Sequence, residues 1–172
     1  LNRGIEAGLI GLAVVGLFMI LWYRLPGLIS IIALTIYVIL ILTIFRLVGV
    51  TLTAAGIAGL ILSFGMSLDS NILIFERLKE EIKAGKHLHD AIKEGFARAW
   101  FSIRDSNLSS LIAGIVLFWF GTSLIKGFAV TLVFGLIVGL FTAISVTRTL
   151  LLALAPSHAG RVAKFLFKCG FK

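Results

Sequence analysis

The sequence predicts an all-α integral membrane protein with five transmembrane helices and one long cytoplasmic amphipathic connection. Hydrophobic residues make up 59% of the chain and the mean hydropathy is +1.10, whereas soluble domains contain about 45–50% apolar residues. Hydrophobic runs close to the roughly 20 residues that cross a bilayer recur along the chain. The net charge of +8 is concentrated between these runs, which favours membrane orientation over nucleic-acid binding.

The predicted spans are separated by short breaks that contain Arg, Gly or Pro, except for one long charged connection. The spans cover 5–23, 28–45, 52–75, 101–120 and 128–155. Together they form a predicted membrane domain over 1–155, followed by a basic cytoplasmic tail over 156–172.

The connection over 76–100 predicts two helical pieces. The first continues the third span to residue 84, where Gly85 is a natural stop. The second has an apolar face at helical spacing, formed by Leu88, Ala91, Ile92, Gly95, Phe96 and Ala99. Two interpretations remain open. The second piece lies on the membrane, with Lys93 and Arg98 near anionic headgroups, or it docks onto the transmembrane bundle.

Basic residues predict the orientation of the spans. One side collects 13 of the 16 Lys and Arg residues, and the other collects Arg3, Arg46 and Lys126. The richer side is therefore cytoplasmic and includes the C-terminus. The first span then begins outside without a signal sequence, so we expect an upstream span and a longer natural protein.

The third span separates into two faces. Large apolar residues form a stripe predicted to face lipid: Ile57, Ile61, Phe64, Leu68, Ile72 and Phe75. Small or polar residues occupy most of the remainder: Ala55, Gly56, Gly59, Ser63, Ser67, Ser70 and Asn71. Asp69 lies outside the apolar stripe on a helical wheel, so we expect its side chain to point toward protein.

The last span carries a ladder of small residues at four-residue spacing: Gly127, Thr131, Gly135, Gly139, Ala143 and Thr147. Such a ladder lets helix backbones approach closely, where packing replaces the missing hydrophobic drive. We predict a helix-packing surface, with a sliding surface as the alternative.

Two similar polar motifs lie within spans, namely Leu68-Asp69-Ser70-Asn71 and Arg104-Asp105-Ser106-Asn107. A carboxylate in hydrocarbon costs about 2.5–3.5 kcal/mol on insertion scales, so it usually serves a function. A proton relay through Asp69 is one hypothesis, because a desolvated carboxylate can exchange a proton near neutral pH. The alternative is structural, with each Asp bound to Ser or Asn neighbours, or to Arg104 in the case of Asp105.

Other chemistries are disfavoured. The chain lacks the Gly-x-Gly-Asp pattern of intramembrane aspartyl proteases, and no Ser/His pair or phosphate loop offers another chemistry, so we predict no enzyme activity. His87 and His89 alternate on a short loop, which is poor chelating geometry. Cys169 is the single cysteine, so no internal disulfide or cysteine metal cluster can form. We predict no metal and no cofactor other than coupling protons.

Segment 65–77, GMSLDSNILIFER, closely resembles the signature of the SecD family of bacterial protein-export subunits. DSNL at 105–108 and KGFAVTL at 126–132 resemble later blocks of that family. The resemblance extends from the first span through Arg148. It implies a half bundle of the resistance-nodulation-division superfamily that corresponds to the second to sixth spans of the family.

The resemblance also implies a function. SecD-type proteins act with SecF beside the SecYEG channel, with YajC and YidC as further partners, and use the proton-motive force to draw unfolded preproteins across the bacterial cytoplasmic membrane. The position of Asp69 belongs to the proton path in that family, and Asp105, Asn71 and Asn107 are secondary candidates. Two alternatives are an assembly module without proton coupling and a small-molecule exporter of the same superfamily.

Three sites depart from the family pattern. Arg104 replaces a residue that is usually apolar, Ser123-Leu124 stands where Gly-Pro is common, and His87 occupies a position often held by a capping Ser or Thr. None of these departures involves Asp69.

Overall fold

The computed structural model describes residues 2–155 as a bundle of long helices, with no strand in that range. This confirms the predicted all-α fold with five long helical stretches. The elements are α1 (Asn2–Tyr23), α2 (Leu25–Val48), α3 (Ala54–Lys83), α4 (Leu88–Phe120), α5 (Ser123–Phe141), a π-helix (Thr142–Thr147) and α6 (Arg148–Leu154). The last three are consecutive and form the fifth stretch. The predicted tail over 156–172 lies outside the described residues.

Length and composition make three of these stretches capable of crossing a membrane. Within the described residues they are Leu25–Val48, Ala54–Lys83 and Ser123–Leu154, and Ala13–Tyr23 is a shorter apolar segment. The remaining long helix, α4, has 33 residues. Its predicted span contains the charged pair Arg104 and Asp105, which makes it more polar than the others.

The first two helices are joined by a very tight turn at Arg24. The backbone of Arg24 has a φ of 51°, which is uncommon for a residue with a Cβ. Gly27 follows in the first turn of α2. A Cβ at Gly27 would lie 2.0 Å from the carbonyl oxygen of Met19, so only glycine allows α1 and α2 to approach this closely.

The α3–α4 hairpin settles the two interpretations of the charged connection. Helix α3 ends at Lys83 and Gly85 has a φ of 88°, as the predicted stop requires. Helix α4 then runs without a break from Leu88 into the fourth span, and its apolar face is buried. At Gly95 a Cβ would lie 2.9 Å from the backbone nitrogen of Leu78. Docking onto the bundle is confirmed, and a separate helix lying on the membrane is wrong.

Helices α3, α4 and α5 pack most extensively against one another, and the main apolar core joins α3 and α4 to α1, α2 and the residues that follow α5. The small-residue face of α3 packs against the ladder of α5, and both helices run in the same direction because α4 returns the chain between them. The predicted lipid stripe of α3 is partly wrong. Ile57 and Ile61 are exposed, but Phe75 is fully buried in the core with Tyr23, at 5.5 Å between ring centroids. The reason is that residues of α1, α2 and α4 pack around the C-terminal half of α3.

Candidate functional site

Asp69 lies on the outer surface of this chain. Its side chain is exposed and forms no hydrogen bond or ion pair with any residue between 2 and 155. The expectation that Asp69 points toward protein is therefore wrong within this chain. The buried face of α3 centres on Ser63, Ser67 and Ile74, and at 100° per residue Asp69 lies about 140° around the helix from that centre.

The surface around Asp69 is a narrow strip of exposed residues along one side of α3. Ala58, Leu62 and Gly65 share the side of α3 that carries Asp69, and all are exposed. A Cβ added at Gly65, one turn from Asp69, would have no neighbour within 4 Å. An isolated carboxylate beside a glycine on a membrane helix is a surface that another protein helix can approach closely. We call these four residues the Asp69 strip.

The second polar motif places its members on opposite sides of α4. Asp105 is exposed and accepts a hydrogen bond from Nε of Arg104 at 3.0 Å, which is the partner that the structural interpretation predicts. Asn107 is buried, and its Nδ2 donates to the carbonyl oxygen of Ile103 at 2.8 Å. Asp69 is bonded neither to Asp105 nor to Asn107, so the structure does not join these candidates into one relay within this chain.

Asn71 belongs to a different buried contact. Its Oδ1 accepts a hydrogen bond of 2.8 Å from Oγ1 of Thr147, and both residues are at most 1% exposed. Thr147 is the last residue of the π-helix, which is a rare element that often occurs at functional sites. From its spacing in the sequence, Thr147 was predicted only to be part of the packing ladder. Of the six residues in TAISVT, Thr142, Ile144, Val146 and Thr147 are β-branched, and no stronger signal for the π-helix is present.

The small-residue ladder of the α5 stretch packs directly against the small-residue face of α3, at distances that leave no room for larger side chains. A Cβ at Gly135 would lie 2.0 Å from Oγ of Ser63, and a Cβ at Gly139 would lie 3.1 Å from Cβ of Ser67. At Gly127, near the start of the ladder, an added Cβ would lie 3.0 Å from Oγ1 of Thr53. Ala143, further down the same helical stretch, is fully buried.

Tyr37 is a polar core residue that sequence reasoning missed. Its hydroxyl lies 2.8 Å from Oγ of Ser63, and its ring is fully buried beside Gly135 and Gly139. One turn further along α3, Oγ of Ser67 is buried without a hydrogen-bond partner in the described part of the chain. Hydrophobicity alone gives no signal for this contact, because α2 is almost entirely apolar around Tyr37.

An ion-pair cluster fixes the end of the α3–α4 hairpin. Glu81 is 3% exposed, and its carboxylate contacts Lys86 and Arg98, each at 2.5 Å. The hydrogen bond from Lys86, and to a smaller extent the one from Arg98, lowers the pKa of Glu81 from its usual value of 4.5. Lys86 also contacts Glu94, so the cluster ties the end of α3 to two turns of α4.

The described residues contain no group of three His, Cys, Asp or Glu side chains that is arranged to hold a metal ion. The arrangement within residues 2–155 therefore offers two kinds of chemistry. One is the unpaired carboxylate of Asp69 on an open surface, and the other is a set of buried polar contacts between α2, α3 and the α5 stretch.

Comparison with known proteins agrees with the helical architecture. Residues 1–157 match the family described as "Protein export membrane protein SecD/SecF, C-terminal". The chain is 58% identical to the protein translocase subunit SecD of Thermobaculum terrenum over 154 residues, which is 87% of this chain and 30% of that protein. It is 54% identical to SecD of a Synechocystis species over 91% of this chain and 33% of that protein.

A relative named SecDF and a solved structure are also similar. Protein translocase subunit SecDF of Bacillus subtilis is 44% identical over 92% of this chain and 21% of its own length. The crystal structure of SecDF, a translocon-associated membrane protein from Thermus thermophilus, superposes with a TM-score of 0.86 and 39% identity over 90% of this chain and 22% of its own. The chain thus spans a third or less of these relatives.

Proposed function

Because this chain belongs to the family of protein export membrane proteins SecD/SecF and matches their C-terminal region, we propose that it is the membrane-spanning part of a Sec protein-export subunit driven by the proton-motive force. The relatives named protein translocase subunit SecD support the export function. In this proposal the described helices form the proton-coupled membrane part, and preproteins are moved by the complete protein with its partners.

The observation that carries the proton-coupling proposal is the unpaired carboxylate of Asp69. A charged side chain that faces hydrocarbon costs about 2.5–3.5 kcal/mol on insertion scales, so such a group is usually covered by protein or water. Asp69 has no partner within residues 2–155. Helix α3 does not need this carboxylate for its own packing, because its buried face lies on the other side.

We propose that SecF covers the Asp69 strip. Relatives in which SecD and SecF are one polypeptide, named SecDF, support the pairing of the two membrane halves. The small residues of the strip, above all Gly65, would let a SecF helix approach Asp69 closely enough to exclude lipid. SecYEG, YajC, YidC and the preprotein are proposed as further partners of the complete protein. The proposed location is the bacterial cytoplasmic membrane, with a cytoplasmic C-terminus.

The proposed coupling uses the two faces of α3. Protonation of Asp69 removes a charge from the interface with SecF and so changes the relative free energy of two arrangements of the membrane halves. The opposite face of α3 packs through Gly59, Ser63 and Ser67 directly against the small residues of α5. A shift of α3 along α5 would carry the change to the α3–α4 hairpin.

A second candidate function is supported by the exposed position of Asp69. The carboxylate would then only bind a polar group of SecF, and the chain would be an assembly module of the Sec complex without proton coupling. This alternative differs from the first in one respect, because a neutral side chain that preserves hydrogen bonding would then be sufficient at position 69.

The test is proton-gradient-dependent release of a secretory protein from vesicles that carry the full-length protein with SecF and SecYEG. We expect Asp69→Asn to abolish the stimulation by the gradient while SecF still co-purifies. Asp90→Asn, which neutralises an exposed carboxylate in the first turn of α4, is the control and should keep full stimulation. Full stimulation in Asp69→Asn would refute proton coupling through Asp69 and favour the assembly function.

A further inference from the structure

A cavity of about 260 Å³ opens between α3, α4 and the end of the α5 stretch. Its lining includes two cations, Lys93 and Arg148, and the aromatic rings of Phe96 and Trp100, with Ile74 and Ile144 among the remaining apolar residues. Among the described residues, no carboxylate lines it. The cavity lies toward the C-terminal ends of α3 and of the α5 stretch. The proposed role of Asp69 does not involve it.

The two cations lack an acidic partner in the part of the chain that the structure describes. Neither Lys93 nor Arg148 forms an ion pair with any residue in the described range 2–155, although Asp90 lies three residues before Lys93. The other basic residues of α4 are paired, since Arg98 contacts Glu81 and Arg104 contacts Asp105. The sequence 156–172 contains no Asp or Glu, so no acidic side chain of that segment can pair with these cations.

The residues that line the cavity lie at the depth expected for one surface of the bilayer. Ile74 is 20 residues after the start of α3, Trp100 is 20 residues before the end of α4, and Ile144 is 21 residues after the start of α5. At 1.5 Å per residue each lies about 30 Å from the opposite end, which is the thickness of the hydrocarbon core. Trp at this depth is typical of the interfacial aromatic belt. Lys93 and Arg148 extend beyond it, on the side that the basic residues predict to be cytoplasmic.

We propose that this cavity binds the phosphate headgroup of an anionic phospholipid of the cytoplasmic leaflet. Lys93 and Arg148 would bind the phosphate from two different helices, while Phe96, Trp100 and Ile74 contact the glycerol and the start of the acyl chains. Basic pockets between membrane helices on this side commonly bind anionic headgroups. The lipid would bridge α4 to Arg148, which directly follows Thr147 and its contact with Asn71.

The test is native mass spectrometry of the full-length protein with its co-purified partners, titrated in detergent with phosphatidylglycerol or with net-neutral phosphatidylcholine. We compare wild type with Lys93→Gln, Arg148→Gln and the control Lys83→Gln. Lys83 is an exposed cation on the same side, outside the cavity and without an ion pair among the described residues. Each cation near the membrane surface contributes about 1 kcal/mol, so each cavity variant should weaken phosphatidylglycerol binding about fivefold.

The expected result is preferential binding of phosphatidylglycerol to wild type and to Lys83→Gln, with weaker binding to both cavity variants. Equal binding to all four proteins, or no preference over phosphatidylcholine, would overturn the proposal. Inorganic phosphate is added as a competitor. If millimolar phosphate displaces the lipid from wild type and itself binds, the site is one for soluble phosphate and the lipid assignment is overturned. Lys93 is exposed and forms no hydrogen bond or ion pair within the described range 2–155, so Lys93→Gln remains interpretable even if Arg148→Gln does not fold.

Discussion

Replacement of Gly135 by Ala tests the close packing of α3 against α5. A Cβ at this position would lie 2.0 Å from Oγ and 2.5 Å from Cβ of Ser63, and 2.9 Å from the hydroxyl of Tyr37. These distances are far below van der Waals contact, so either Ser63 changes rotamer or the helices separate. In both cases the 2.8 Å contact between Tyr37 and Ser63 is lost.

The magnitude follows from three contributions. Overpacking of a well-packed core costs about 1–3 kcal/mol, and loss of the buried hydrogen bond costs about 0.5–1.5 kcal/mol. The higher helix propensity of Ala offsets about 1 kcal/mol. We therefore expect Gly135→Ala to lower the free energy of unfolding by about 0.5–3.5 kcal/mol.

The assay is equilibrium unfolding of the full-length protein in mixed micelles as the denaturing detergent is increased. Gly11→Ala is the matched control, because a Cβ at Gly11 has no neighbour within 4 Å. It should leave stability unchanged or raise it slightly. The double variant Gly135→Ala with Ser63→Gly should recover the steric part of the loss, because it moves the Cβ from one helix to the other. A Gly135→Ala protein as stable as the Gly11→Ala protein would refute the proposed packing.

Two further predictions concern buried polar contacts. The pKa of Glu81 is lowered from 4.5 by Lys86, so the stabilisation by this ion pair is present above pH 4.5 and is lost as the pH falls through the lowered pKa. Hydrogen exchange at the α3–α4 hairpin should therefore increase as the pH falls below 4.5, after correction for intrinsic rates, and a Glu81→Gln protein that shows the same increase would contradict this assignment. Thr147→Val should destabilise the protein by about 1–3 kcal/mol, because it removes the buried donor to Asn71; Thr43→Val is the control, since Thr43 donates only to its own helix, and equal unfolding midpoints for the two variants would exclude the predicted cost.

The sequence was sufficient to predict the features that follow from local patterns. Hydropathy predicted the helices, and Gly85 marked the end of α3 because a residue with positive φ stops a helix. The spacing from Gly135 to Gly139 indicated a surface where backbones approach. The membrane prediction rests on composition and on the length of the hydrophobic runs, and neither requires knowledge of how the helices are arranged.

The positions of polar side chains depended on which helices meet, and the sequence does not encode that locally. A helical wheel places Asp69 outside the apolar stripe, but it cannot tell whether the adjacent helix belongs to the same chain. The prediction that Phe75 faces lipid failed for the same reason. Phe75 is buried by contact with Tyr23 of α1, and no pattern within α3 reveals that contact. The contact between Asn71 and Thr147 joins residues 76 positions apart and depends on a π-helix that has no reliable sequence signature.

The π-helix has a consequence for the chain lengths that this family can tolerate. A single π turn is equivalent to one residue inserted into an α-helix. Deletion of one residue within Thr142–Thr147 would therefore restore regular α-helix and leave Gly139 and Leu151 facing the same neighbours as before. The same deletion elsewhere in this stretch would rotate everything beyond it by about 100°. Homologues one residue shorter should consequently have lost that residue here.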